Sequence, residues 1–270
     1  MASMKARYEA GEHEPVWAEL MAMGGAVRRP EVLEEARAVA RETMRRARWN
    51  IEKLVPRLVE LGYQFQYSDP FEAADGHALK EIRTLEKRLS GPLPLSLEAW
   101  WEQIGSVCLM GRHPRLNPMN GEVLPDPMVF GPVGEALDEA EDWARERKRR
   151  AAKVAAPPAE DNWRQQIETW RNLMREQEFS EEEIRARLAP AIAAFEGAEK
   201  NRERERAAIA DPRFHYDFAP DELHKADISG ATYDVALPCE GADCLLEGCS
   251  QQGTFVEYLR RSFAWGGFPG

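Results

Sequence analysis

The chain is predicted to be an α+β protein, and three features of the sequence lead there. Apolar residues recur at alternating three- and four-residue spacing between Leu33 and Leu61, the pattern of one long helix. Short apolar runs such as SVCLM (106–110) and the alternating Phe214, Tyr216 and Phe218 have strand character. Between them, residues 134–210 are densely charged and helical in pattern, so they read as a helical insertion in an α+β domain. No internal repeat is visible.

Residues 1–27 are weakly patterned and are expected to form a partly ordered arm closed by Gly24-Gly25. Residues 28–133 then form the first part of the domain. Pro30 suits the first turn of a helix, where its missing N–H costs nothing. Leu33, Ala36, Ala40, Met44, Ala47, Ile51, Leu54, Leu58 and Leu61 make one apolar stripe, which keeps its register through Pro56. Pro56 therefore predicts a kink and not a break, and Gly62 ends the helix. A second helix is expected over roughly 72–89. After the GPLPL turn, Ser96 is expected to cap a short helix with Leu97, Trp100 and Ile104 inward. SVCLM and PMVFGP follow as strands, separated by a Pro/Asn/Gly-rich loop at 113–127.

The insertion falls into helical pieces, with AAKVAAPPAED as a hinge and Ser180–Glu183 as a capping box. Residues 211–270 complete the domain, with strands at 214–218 and in TYDVALP. The final phrase, TFVEYLRRSFAWGGFPG, reads as a docked helix. Thr254 and Glu257 form a capping box, Phe255, Leu259 and Phe263 share a face, and Gly266, Gly267 and Pro269 stop it.

A net charge of −11 opposes general binding to nucleic acid or to an anionic membrane, because the long-range field repels phosphate. The same charge favours solubility and permits a basic partner. MASMKARYEAGEHEP lacks the apolar core of a signal peptide, and no stretch approaches a bilayer span, so a cytoplasmic protein is expected. Four cysteines in 270 residues do not make a disulfide scaffold, and reduced thiols are expected.

The segment LPLSLEAWWEQIGSVCLMG, with its proline turn, aromatic-bearing short helix, Ile-Gly and strand, resembles the signature of the SUKH superfamily. The resemblance extends through DPMVFGP, through APDELHKADISG and through TFVEYLRRSFAWGGFPG. RETMRRARWNIEKLVPRLVELGYQF also resembles the N-terminal helix of its bacterial members. It covers about two thirds of the chain, and the charged stretch at 134–210 departs from the compact family core. The resemblance implies a central, mostly antiparallel sheet backed by helices. It further implies action through protein binding, many bacterial members being thought to neutralise toxins, and it carries over no catalytic residue.

Cys239, Cys244 and Cys249 are separated by four-residue gaps, at the limit of zinc-knuckle spacing. A fourth ligand would have to come from Cys108, His215 or His224. Small hydrophobic thiols in a turn-rich segment are the simpler reading, so no metal or cofactor is expected. His215 alternates with aromatics on a strand and reads as a half-buried polar residue. Asp221, Glu222 and His224 could do acid–base work, but PDEL also suits a capped turn. With no nucleophile elbow, Walker loop or Ser/His/Asp set, no enzyme is expected. The basic run RERKRR (145–150) follows acidic residues on one helix and suits its dipole.

Trp100 and Trp101 adjoin on a short helix and cannot face the same way, so one is expected in the core and the other, taken as Trp101, either partly exposed or covered by a neighbouring loop. Trp163 and Trp170, with Ile167 and Met174, form either a helix–helix seam or a partner-facing one. Trp101, Trp143, Trp163 and Trp170 are therefore the candidate partner-contact residues. The expected function is non-catalytic protein binding, most concretely an immunity-type protein that covers a toxin, with a basic toxin suited to the acidic charge. A regulatory scaffold linking partners through the insertion is the alternative, and an enzyme of unrecognised type is the third. The pattern sets no oligomeric state.

Overall fold

The N-terminal arm is helical, which corrects the expectation of weak order. In the computed structural model, which describes residues 3–115, 126–155, 163–210, 213–220, 231–247 and 253–268, α1 (Met4–Glu9) and α2 (His13–Ala22) precede a 3-10 turn at Gly24–Arg28. Val16, Leu20 and Val27 are fully buried, with Tyr8 and Trp17 nearly so. These apolar residues escape a periodic reading because they lie on three short elements, separated by left-handed turns at Gly11 and Gly24. Trp17 Nε1 donates to Thr43 Oγ1 at 3.1 Å, which fixes the arm to the helix that follows.

That helix, α3 (Pro30–Glu60), runs without a break through Pro56 and ends at Gly62 with φ of +92°. Ala36, Ala40, Met44, Ala47, Ile51 and Leu58 are buried, as the stripe predicts, while Leu61 at its end is exposed. β1 (Gln64–Phe65) and β2 (Phe71–Ala73) follow. The second helix, α4 (Ala78–Leu89), starts later than the spacing suggests. Residues 71–73 are held in a ladder instead, and Asp75 Oδ1 accepts from the N–H groups of His77 and Ala78 at the helix start.

α5 (Leu95–Gln103) is buried at every position from Leu95 to Trp101. Its Glu98 is enclosed between helices, 2.9 Å from Arg83 Nη2 of α4 and 3.5 Å from Arg37 Nη2 of α3. β3 (Ile104–Cys108), β4 (Gly111–Arg112) and β5 (Val129–Phe130) follow. β6 (Phe214–Pro220) and β7 (Thr232–Leu237) come later in the chain, with α6 (Val133–Ala155), α7 (Trp163–Glu176) and α8 (Glu181–Ala210) between β5 and β6. Every strand pairing among the described residues is antiparallel, in three sheets of order β1–β4, β2–β3–β5 and β6–β7.

Phe214, Tyr216 and Phe218 of β6 turn inward, and so do Tyr233, Val235 and Leu237 of β7. Phe130 gathers this core: its ring lies 4.8 Å from Phe218, 5.0 Å from Trp100 and 5.2 Å from Phe255. Phe255 opens the last helix, α9 (Phe255–Ala264), whose Thr254–Glu257 capping box is complete. Its buried row is Phe255, Tyr258, Leu259 and Ser262. Phe263 is only half-buried, a correction to the expected face. At about 100° per residue it stands roughly 80° round from Phe255, whereas Ser262 stays within about 20°.

The chain divides into two compact units, one of residues 1–141 with 213–270 and one of residues 142–212. The division falls within α6, later than the composition shift at 134, because Val133, Ala136 and Ala140 are buried at helical spacing. The second unit has its own small core of Ile167, Ile184 and Leu188, flanked by Trp163, Met174 and Phe195. At the turn between α7 and α8, Ser180 and Glu183 exchange the expected capping bonds. The AAKVAAPPAED hinge lies largely outside the described residues, as does the APDELHKADISG phrase from Asp221 to Gly230.

Two substitutions test this architecture. Ser96→Ala leaves an oxygen of the buried Asp243 carboxylate without its hydroxyl donor, and should cost about 1–3 kcal/mol in urea unfolding. Gly267 has φ of +97°, and a Cβ there would lie 2.5 Å from Leu109 Cδ1 and 2.8 Å from Leu54 Cδ2. Gly267→Ala should therefore destabilise by about 1–3 kcal/mol, and an unchanged melting temperature would show that the C-terminal turn is not tightly packed.

Candidate functional site

The four tryptophans proposed as partner contacts have different fates. Trp101 is buried, contrary to expectation: its ring lies 5.8 Å from Tyr216 and 6.1 Å from Phe130, and Nε1 donates to Gly131 O at 3.3 Å. The premise that adjacent tryptophans must divide between core and solvent fails because α5 is enclosed all round. Trp143 is half-buried, with the Arg147 guanidinium 5.6 Å over its ring. Trp163 stacks on Phe195 at 5.4 Å and belongs to the α7–α8 seam. Trp170 leaves that seam and is 42% exposed, next to Leu173 at 50%.

The RERKRR run is largely neutralised within its own helix. Glu146 accepts from Arg149 at 2.7 Å and from Arg150 at 2.8 Å, and Arg145 pairs with Asp142. Arg147 instead donates to the carbonyl of Ile209.

Cys239 and Cys244 frame a structural carboxylate. Asp243 Oδ1 accepts from Ser96 Oγ at 2.6 Å and from Cys244 N at 3.0 Å, while Oδ2 accepts from Val256 N at 3.0 Å. Burial pushes the Asp243 carboxyl up from its ordinary value, against the pull of these donors, and burial likewise raises the Cys244 thiol. Ser96, expected to cap its own helix, therefore donates instead to Asp243, whose other oxygen holds the first turn of α9. Cys249 and His224 lie outside the described residues, with Asp221 and Glu222.

The cluster that sequence reasoning missed is on the outer face of the β6–β7 hairpin. His215 Nδ1 lies 2.8 Å from Asp234 Oδ2 and 3.8 Å from Glu247 Oε2. Ligand atoms of these three residues all fall within 4.8 Å of one another, a spacing that could hold a metal ion. In the sequence His215 reads as a half-buried strand histidine or as a fourth ligand to the distant cysteines, not as a partner of these two carboxylates. Its two acidic neighbours come from the hairpin register and from the Asp234–Glu247 bridge, which are long-range facts. The parity of β6 was the one available signal, since it sets His215 and Asp217 on the face opposite the aromatics.

A second acidic group adjoins this face. Glu139 of α6 is at the surface, yet its carboxyl is pushed up to about 7, first by lost hydration and then by the charges of Asp217 and Glu135. Comparisons with family models, with curated proteins and with solved structures return no match.

Glu139 gives a pH test with a definite sign. A carboxyl whose folded value is raised favours the folded state below its ordinary range and loses that contribution as pH rises through about 7. Glu139→Gln keeps the neutral form at all pH. Its melting temperature should gain on the parent protein between about pH 5 and pH 8, and a constant difference would show that Glu139 is not crowded by its acidic neighbours.

Proposed function

We propose that this chain acts by binding another protein stoichiometrically, as its resemblance to the SUKH superfamily implies, and that the partner is basic. The observation that carries this reading is the division of charge. Residues 142–212 hold fifteen acidic and fifteen basic side chains, so the net charge of −11 belongs entirely to the unit built from residues 1–141 and 213–270. A field of one sign on one folded unit speeds encounter with an oppositely charged protein and orients it on approach. The most concrete form is an immunity-type protein that covers a basic toxin.

A scaffold that also engages a partner through residues 142–212 is the second reading. It is favoured by the separate core of that unit and by the exposed Trp170 and Leu173. Exposed tryptophan is enriched among the residues that carry interface binding energy.

The test is capture of the native partner on the tagged full-length chain, followed by stopped-flow association at low and high salt. The expected partner is basic, with an on-rate that falls as salt shortens the Debye length to below about 8–10 Å. Inhibition of the partner's activity should titrate to an equivalence point. An acidic partner, a salt-independent on-rate or turnover at substoichiometric amounts would refute the reading. Loss of binding in Trp170→Ala with Leu173→Ala would favour the scaffold form, and unchanged binding would favour the acidic unit alone.

A further inference from the structure

The β6–β7 hairpin sets three carboxylates in one row. Asp217 stands directly opposite Asp234, and Asp234 in turn bridges Glu247 on its other side. Like charges opposed in a ladder destabilise it, so such a row calls for a cation. His215 is on the same face, opposite Ala236 and diagonal to Asp234. Arg213 Nη1 approaches Glu247 Oε1 at 3.4 Å, while the other oxygen, Oε2, is the one near the imidazole.

A separate observation concerns Asp234 itself. Its side chain is only 10% exposed, and Oδ1 is buried with no hydrogen-bond partner, although Oδ2 is engaged by His215. A buried carboxylate oxygen left without a donor is costly, and on a carboxylate whose other oxygen already meets an imidazole close to Glu247 it argues for a ligand cation.

We propose that His215 Nδ1, an Asp234 carboxylate oxygen and Glu247 Oε2 bind a divalent transition-metal ion of the zinc type. One imidazole and two carboxylates suit zinc, cobalt or manganese, whereas a hard calcium or magnesium site would be built from oxygen alone. Ligands at about 2.1 Å in a tetrahedron stand about 3.4 Å apart. The two separations from His215 Nδ1, 2.8 Å and 3.8 Å, bracket that edge, and all three ligand atoms lie within 4.8 Å of one another. The ion takes the place of the hydrogen between His215 Nδ1 and Asp234 Oδ2, which leaves to solvent while the neutral imidazole keeps its hydrogen on Nε2. His215 and Glu247 are 38% and 40% exposed, which gives the ion a route from solvent and leaves its remaining position to water. Arg213 holds Glu247 by the oxygen that the metal does not use. This site does not depend on the protein-binding reading, and either can fail alone.

The experiment uses the full chain after dialysis against chelator, titrated with zinc by calorimetry and with cobalt by visible absorption. The expected result is about one equivalent of zinc, with affinity weakened by roughly tenfold or more in His215→Ala and in Glu247→Gln. Both substituted residues are partly exposed, and thermal melts confirm that each variant folds. Cys239→Ser with Cys249→Ser should leave binding unchanged, and cobalt should give no thiolate charge-transfer band. Three outcomes overturn the proposal: no saturable binding by the parent chain, binding unaltered in both variants, or loss in the cysteine variant with a thiolate band. The first would leave the cluster as a solvated charge network only.

Discussion

One buried hydrogen bond, from Ser96 Oγ to Asp243 Oδ1 at 2.6 Å, joins segments 147 residues apart and organises what surrounds it. The loop carrying Asp243 serves two helix N-termini at once. Its carbonyls at Gly241 and Ala242 accept from Leu95 N and Ser96 N at the start of α5, and Cys239 N donates back to Pro92 O. Asp243 then accepts from Val256 N in the first turn of α9. Exposed N–H groups and the helix dipole both favour a negative group at that place. Arg28 fastens the arm to the same region, donating from Nε to Glu240 O at 3.1 Å and from Nη2 to Leu93 O. With α5 and α9 fixed this way, Trp100 and Phe255 meet edge to face at 5.5 Å, and Phe130 lies against both. An apolar side chain in place of Asp243 would leave donors from three segments without a shared acceptor.

This also explains which parts of the fold were legible in the sequence. α3 could be read because its stripe repeats over many turns, and α9 because its capping box and its Gly266-Gly267 stop are local chemistry. The two glycines take φ of +67° and +97°, as a helix stop of that kind requires. Ser96 could not be read correctly, since a serine near a helix start has a local use as a cap and a non-local one as a donor. The choice was made by Asp243. Trp101 failed for the same reason: exposure on a short helix depends on how many sides are covered, and that is a tertiary fact. The first residues of the expected second helix became β2 because Val107 and Ser106 offered them a ladder.

The candidate site was less legible than the fold. Alternation along β6 separated Phe214, Tyr216 and Phe218 from His215 and Asp217, so the two faces could be told apart. What the outer face meets depends on the register that brings Asp234 opposite Asp217, and on a bridge from Asp234 to Glu247. Neither follows from local pattern, because a shift of one residue in a hairpin would turn Asp234 to the other face.

The inward and outward faces of that hairpin oppose each other energetically. Inward, the aromatic rings of Tyr216, Phe218 and Tyr233 hold the register by burial. Outward, the same register forces Asp217, Asp234 and Glu247 into a row, and α6 adds Glu135 and Glu139 to the field felt beside it. Relaxing the acidic row by slipping the strands would expose the rings, each of which contributes on the order of 1.5–3 kcal/mol by burial. The core therefore keeps the carboxylates together, and the repulsion is relieved instead by the His215 hydrogen bond and the Arg213 guanidinium within the hairpin, and by protons at Glu139. A surface whose negative charge is held in place by the core cannot rearrange to dissipate it, which makes it a standing site for positive charge from outside. A bound metal ion and a basic side chain of a partner protein would both satisfy that demand. They differ in geometry, since only the metal needs His215 Nδ1 as a ligand, whereas a lysine or arginine would leave the His215–Asp234 hydrogen bond intact.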